Sequence, residues 1–392
     1  MAMETIYLDN NATTRMDDEV FAAILPYFQE FYGNPSSTLH FYGQQADYAV
    51  RQARGVLADC FHAASENDFI FTSGATEANN LAILGIARAS KQKHPHVIVS
   101  SIEHPSVFQV CRQLEREGAV CTYLPADPSG VISVLEVERA ITTDTILLSI
   151  MSANNEIGTI QPIEELGRLA HRHNILFHTD ATQYVGYRLI NVSHSPVDLM
   201  SVSGHKIYGP KGIGLLYAGA QARRVLKPQL YGGGQQNNLR SGTLNVPGIV
   251  GLAKAVELLA RDQDRDSRRI AALRDSFLSL LQRDISVVVN GTMEERIPNN
   301  ISFYIPGVSA LWLASKLPEL AFSMGSACAT GSTQGSHVLA AIGLGSEQID
   351  STVRVGLSKF TSEEEVERAA RLICGAIRSQ LGEGGGHREQ FT

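Results

Sequence analysis

No uninterrupted apolar stretch in this 392-residue chain approaches the roughly 20 residues of a membrane-spanning helix, so no membrane association is expected. Excess positive charge is missing too. Lys and Arg number 33 against 40 Asp and Glu, a net charge of −7, and no nucleic-acid partner is expected. Cysteine is scarce: Cys60, Cys111, Cys121, Cys328 and Cys374 are odd in number and scattered, with no CxxC or His/Cys cluster. That argues against a disulfide framework and a zinc site, and it fits a reducing, cytoplasmic setting. The stretch Met1–Thr14 has an early acid and no apolar core, unlike a signal peptide. There is no internal repeat, no Walker loop and no GxGxxG.

What is present is alternation. Short runs rich in Val, Ile and Leu recur at 68–73, 96–101, 119–124, 145–151, 175–180, 197–202 and 212–218. They do not alternate strictly, as expected of strands buried on both faces. Helical stretches at about 75–91 and through 105–118 lie between them, and Pro162 is placed to open another at its first position. The pattern implies an α/β fold with a mostly parallel, helix-covered sheet. Past residue 245 it changes: a helix from about 247 to 283 carries the charge-dense run 261–269, read as a solvated face. Short strands at 286–289, 300–305, 320–323 and 352–357 follow, with a last helix opened by Thr361 and Glu364 at capping-box spacing. This half reads as a smaller α+β domain. The tail 381–392 has no apolar period and is expected to be disordered.

Ligands of open α/β sheets gather at the carboxyl ends of the strands. Here those ends carry Ser73–Thr76, His104, Asn154–Asn155, Asp180 and Ser203–Lys206. Gly74–Thr76 precede a helix start, which favours a bound phosphate, although many such loops look alike. Asp180 ends an apolar strand, so its carboxylate needs a cation or donors. The partner is either a structural arginine or helix terminus, or a protonated heterocycle. Lys206 and Lys211 compete for the position after the next strand. A lysine amine, a carboxylate and a phosphate pocket are what pyridoxal 5′-phosphate requires, and spacing alone leaves this open.

The motifs YLDNNATT, GNPSS, FTSGATEANNLAI, EHPSV, NNEIG, HTDATQ, SGHKIYGPKGIG, RSGT and GSAC occur in the order seen in cysteine desulfurases of the NifS/IscS kind. The chain resembles that family from about Ile6 to Gln380, and GSAC is similar to its group I, within the class-V aminotransferases of PLP fold type I. The resemblance implies a large domain over 15–260 with a mostly parallel sheet of seven-stranded type. It implies a small domain from 1–14 and 261–380 that carries a cysteine loop.

It further implies pyridoxal 5′-phosphate as cofactor and L-cysteine as substrate, converted to L-alanine with a persulfide on Cys328. Lys206 matches the Schiff-base lysine, leaving Lys211 a surface or backbone-supporting residue. Asp180 matches the partner of the pyridinium nitrogen, Gln183 that of the ring hydroxyl oxygen, and His104 the residue that stacks on the ring and assists proton transfer. Gly74, Ala75, Thr76, Ser203 and His205 match the phosphate cradle. Thr243 matches a contact given by the other subunit, hence a homodimer. Asn155 matches a cofactor and substrate contact, and Arg354 the clamp on the substrate carboxylate, for which a guanidinium fork suits. A protein sulfur acceptor, such as an Fe–S scaffold, is implied. The loop 325–336 has three glycines and no bulky apolar residue, and is expected to move between cofactor and acceptor.

Four places depart from the family pattern. Gln236-Asn237-Asn238 stand where Glu-Arg-Gly is common, Gln334-Gly335 where Glu-Pro is usual, and Met324 where a serine is usual; the C-terminal tail is short. These bear on the sulfur acceptor, and Gln334-Gly335 is expected to loosen the far end of the loop. The competing readings are a selenocysteine or cysteine lyase, a PLP-binding partner without turnover, and a cysteine hydrolase. His171, His173 and His178 look metal-like in the one-letter code but have no acid or cysteine at ligand spacing, and each is read as a satisfied histidine.

Overall fold

The structure, a computed structural model, describes residues 5–325 and 335–384, and of 381–384 the backbone only. Strand β1 (Ile6–Tyr7) comes first in the chain. Next come β2 (Phe69–Thr72), β3 (His96–Ser100), β4 (Val120–Leu124), β5 (Thr145–Ser149), β6 (Leu176–Asp180), β7 (Leu199–Ser203) and β8 (Gly214–Ala218). These seven form one sheet in the order β2-β8-β7-β6-β5-β3-β4. The pairs β4-β3, β3-β5, β5-β6 and β6-β7 are parallel, whereas β8 runs antiparallel to both its neighbours. Six strands therefore point one way, and the ends of β2, β3, β5, β6 and β7 open on one edge. The central strands β7 and β8 are buried throughout, so an apolar run without alternation was the right signal.

The remaining strands belong to a second unit: β9 (Val288–Val289), β10 (Asn300–Tyr304), β11 (Leu320–Ala321), β12 (Ser323–Met324) and β13 (Thr352–Gly356). Four of them pair as β12-β13-β10-β9, antiparallel throughout. The chain start joins this unit, because β1 pairs with β11 and Asp9 bridges to Gly356.

One helix, Val246–Asp284, connects the two units. Its first half (Val246–Leu259) packs into the core of the large sheet, and its second half (Ile270–Leu281) into the core formed with β10, β13 and the helix Glu363–Gly384. The charged run lies between. Arg261 pairs with Glu19 and Asp262, and Arg265 with Asp262 and Asp266, on exposed guanidinium groups.

Three local expectations are corrected. The expected strand 320–323 splits into β11 and β12 around Phe322. Ser362 and Glu365, not Thr361 and Glu364, form the reciprocal cap of the last helix, at 2.8 and 3.1 Å. Thr361 instead uses its Oγ1 to accept the Ser358 N–H. Pro162 sits just outside the helix Ile163–Arg172, at its N-cap, where a missing N–H costs nothing.

Candidate active site

At the carboxyl edge of the large sheet, where the second unit leans over it, lies a cavity of about 700 Å³. Lys206 follows β7 in a short 3₁₀ turn, Gly204–Lys206. Its Nζ donates to the carbonyls of Asn11 (2.5 Å) and Ala12 (2.6 Å). Burial, then the Arg354 charge, lower its pKa to about 8, against the opposing pull of Asp9 and Asp180. A lysine in that range has the free amine that carbonyl chemistry needs.

Asp180, at the end of β6, is 6% exposed and lines the same cavity. Its Oδ1 accepts the Thr182 N–H at 3.0 Å and its Oδ2 accepts from Asn79 Nδ2 at 2.8 Å. No arginine pairs with it among the described residues; its donors are the Thr182 N–H and the Asn79 amide. Gln183 faces the cavity from the next turn. Its Nε2 donates to the Asn11 carbonyl and its Oε1 accepts from Asn11 Nδ2, at 2.9 and 3.1 Å.

The helix Ala75–Ala87 begins at Gly74, and no side chain caps its first N–H groups. Gly74, Ala75, Thr76, Ser203 and His205 all line the cavity. Unpaired donors at a helix start make an anion site. Gly214 is what lets β8 approach it: a Cβ there would stand 2.7 Å from Gly74 Cα and 2.6 Å from the Val202 carbonyl. His205 is held neutral, its pKa lowered to about 4 by burial and then by Lys206 and Lys211.

His104 caps the helix Pro105–Arg116, with Nδ1 accepting the Ser106 N–H at 3.1 Å. Its ring is exposed on the cavity side, yet the protein around it lowers its pKa, burial first. Across the cavity, Arg354 reaches in from β13. It is 8% exposed and donates through Nη2 to Asp9 (2.9 Å) and Ser323 (2.7 Å), and through Nη1 to the Asn155 carbonyl (3.1 Å). Its Nε is buried without a partner, a donor left for something else.

The structure thus gathers Lys206, His104, Asp180, Gln183, Asn155, Arg354 and the five cradle residues around one cavity. Thr243 is exposed and does not line it. Cys328 and Gln334 lie outside the described residues. Lys211 is exposed, and it also lines the same cavity, three residues before β8 begins at Gly214. Sequence reading missed Asp9, Asn11, Ala12 and Thr13, which reach the cavity because β1 and the Asp9 bridge bind the chain start to the second unit. It also missed Asn79, one turn inside the helix Ala75–Ala87, and Ser106, the second residue of the helix Pro105–Arg116. The other cysteines are free, with Cys111 and Cys374 buried and Cys60 and Cys121 half-buried. His178 is enclosed between Ser149 and Ser201, and His171 pairs with Asp198.

Compared with known proteins, the chain matches the class-V aminotransferase family over residues 6–369. It is 43% identical over 373 residues to the cysteine desulfurase IscS of Rickettsia rickettsii (strain Iowa), covering 95% of this chain and 91% of that protein. Among solved structures, a NifS-like protein superposes with a TM-score of 0.89 at 34% identity, covering 96% of this chain and all of that one. SspA, solved in complex with cysteine, superposes with a TM-score of 0.81 at 37% identity over 91% of this chain and all of that one.

Proposed function

The chain belongs to the class-V aminotransferase family, and from that premise we propose that it is a pyridoxal 5′-phosphate-dependent cysteine desulfurase, converting L-cysteine to L-alanine. The observation that carries the reading is one cavity lined by an amine whose pKa is lowered to about 8, a buried carboxylate without a cation, and a buried guanidinium with a spare donor.

The donor set suits the cofactor. The uncapped helix start at Gly74–Thr76, with Ser203 and His205, fits a phosphate. Asp180 fits a ring nitrogen that must stay protonated, Gln183 a phenolic oxygen, and Lys206 an aldehyde carbon. Bound there, pyridoxal phosphate supplies an electron sink for the α-carbon of an amino acid. Arg354 and Asn155 hold the carboxylate of L-cysteine. Lys206, whose pKa is lowered to about 8, would take the α-proton in its uncharged form. His104, which lines the same cavity, would assist the proton transfers. Cys328 attacks the substrate sulfur as a thiolate. A sulfur–sulfur bond forms, the carbon–sulfur bond of the substrate breaks with its electrons left on carbon, and protonation there yields L-alanine. Cys328 is assigned by its place in the GSAC motif. Ser323, which lines the cavity, stands two residues before Gly325, the first residue of that motif.

Two subunits complete the enzyme in this reading. Tyr32 and Phe41, both exposed, pack against the exposed Tyr42 ring, an aromatic cluster suited to an interface. Thr243 is free to serve the other subunit's cavity. The large domain is taken as 15–260, and the small one as 1–14 with 261–380. The persulfide passes to a protein acceptor such as an Fe–S scaffold, in the cytoplasm; no helix among the described residues is long and apolar enough to cross a membrane.

The test is alanine release. Protein loaded with pyridoxal phosphate should form L-alanine from L-cysteine, and protein stripped of it should not. A loaded protein that forms none would instead be the binding partner without turnover.

A further inference from the structure

Asn79 is fully buried on the second turn of the helix Ala75–Ala87, and its amide nitrogen makes two hydrogen bonds. One goes to Asp180 Oδ2 at 2.8 Å, the other to Ser106 Oγ at 2.9 Å. Nδ2 must face Asp180, because a carboxylate only accepts. Ser106 Oγ, already accepting from Asn79, lies 2.8 Å from His104 Nδ1, and that nitrogen also accepts the Ser106 backbone N–H at 3.1 Å. A nitrogen that receives an N–H carries no proton of its own, so the serine hydroxyl is the donor. In the uncharged ring the proton is left on Nε2.

We propose that Asn79 and Ser106 are positioning residues that lock His104 in its Nε2–H form and tie it to the carboxylate of Asp180. The direction of every bond in the chain follows from its two ends, a carboxylate that cannot donate and a backbone N–H that cannot accept. The consequence is chemical. His104 presents a proton rather than a lone pair through its other nitrogen, and a second proton can enter only at Nδ1, against two donors. Burial acts in the same sense, lowering the pKa. The charged groups acting on the ring from other elements are Asp180 on β6, Lys206 after β7, His337 on the helix His337–Ala341, and Glu156 in the NNEIG loop. The two acids favour an imidazolium, and Lys206 and His337 oppose it. None of them fixes which nitrogen is protonated; Ser106 does.

This deepens the desulfurase reading and rests on it for the importance of His104, but its test needs no turnover. The chain has 12 histidines, so ring nitrogens are observed by NMR on protein labelled with ¹⁵N-histidine, loaded with pyridoxal phosphate, and His104 is assigned by the signal lost in His104→Gln. The wild type should show a protonated Nε2 and an unprotonated Nδ1. In Asn79→Asp the Ser106 hydroxyl turns to the new carboxylate, leaving Nδ1 the Ser106 backbone N–H as its one donor. His104 should then titrate at higher pH, and the acidic limb of kcat/KM should move up with it. Ser106→Ala should raise the titration likewise, whereas Ser106→Thr, which keeps the hydroxyl, should restore the wild-type signal. A loss of about tenfold in kcat/KM is expected for Asn79→Asp and Ser106→Ala. A wild-type ring protonated on Nδ1, or variants with unchanged titration, would overturn the proposal. If Asn79→Asp does not fold, the serine pair decides alone. Absence of alanine formation by a wild type with the expected tautomer would count against the desulfurase reading and leave this one standing.

Discussion

Lys206 and Asn11, 195 residues apart in the chain, meet at 2.5 Å, the amine of one against the main-chain carbonyl of the other. The contact exists because the Asn10–Asn11 segment is stitched to the second unit. Asn10 Nδ2 donates to the Gly356 carbonyl at 2.8 Å, and Asn300 Nδ2 to Asn11 Oδ1 at 3.2 Å. The reactive lysine is thereby held by both halves of the molecule.

Capture of cofactor by the apo-protein should follow the deprotonation of this amine. Burial disfavours its charged form, so the free base should appear as pH rises through about 8 rather than near 10.5. Stopped-flow absorbance on mixing with pyridoxal phosphate should give a rate rising about tenfold per pH unit below that midpoint and levelling above it. Lys206→Ala should bind the phosphate without that absorbance change.

Arg354→Lys keeps the charge beside Asp9 but loses the planar fork and the spare Nε. A KM for L-cysteine raised about tenfold or more, with a smaller change in kcat, is the expected result in steady-state assays. An unchanged KM would remove Arg354 from the substrate site.

Gly214→Ala places a methyl against Gly74 and the Val202 carbonyl, both within 2.7 Å of the new carbon. Repacking should cost about 1–3 kcal/mol in a denaturant melt. The cradle at Gly74–Thr76 should shift, weakening pyridoxal phosphate retention on dialysis more than it weakens the fold.

How much of this was legible beforehand depended on where the signal lay along the chain. The strands β2 to β8 were each placed within a few residues, because a strand covered on both faces is an apolar run whatever its partners. Asp180, His104 and Lys206 were legible for a related reason, polar residues standing at the ends of such runs. Asp9 and Asn11 were not, since their place depends on β1 pairing with β11, more than 300 residues away. Asn79 was hidden differently. Within a helix it reads as one more polar position, and only the packing of that helix under β6 turns it toward Asp180. The helix Phe41–Phe61 went unmarked for want of a strong period: Ala46, Ala49, Val50 and Ala53 make a buried face from small residues.

Glu103 gives a prediction about stability. It is fully buried, its Oε1 accepting from Ser100 Oγ (2.6 Å) and the Met151 N–H (2.9 Å), and its Oε2 has no partner. Burial raises its pKa to about 8. The folded state therefore holds a proton that the unfolded chain releases near 4.5. That contribution is complete below about 4.5 and is lost as pH rises through about 8. Glu103→Gln, near in shape and never ionised, should melt like the wild type at pH 5 and a few degrees higher at pH 8. Parallel melting curves at both pH values would contradict the assignment.

The central claim is that sulfur leaves L-cysteine onto one thiol of this chain. The direct measurement is intact mass and peptide mapping of the loaded protein after incubation with L-cysteine, with alanine quantified in solution. One added sulfur on the peptide containing Cys328, alanine in step with it, and neither in Cys328→Ser with its cofactor absorbance intact, is the expected result. Sulfur found on Cys60, Cys111, Cys121 or Cys374 instead, or undiminished sulfide release by Cys328→Ser, would contradict it.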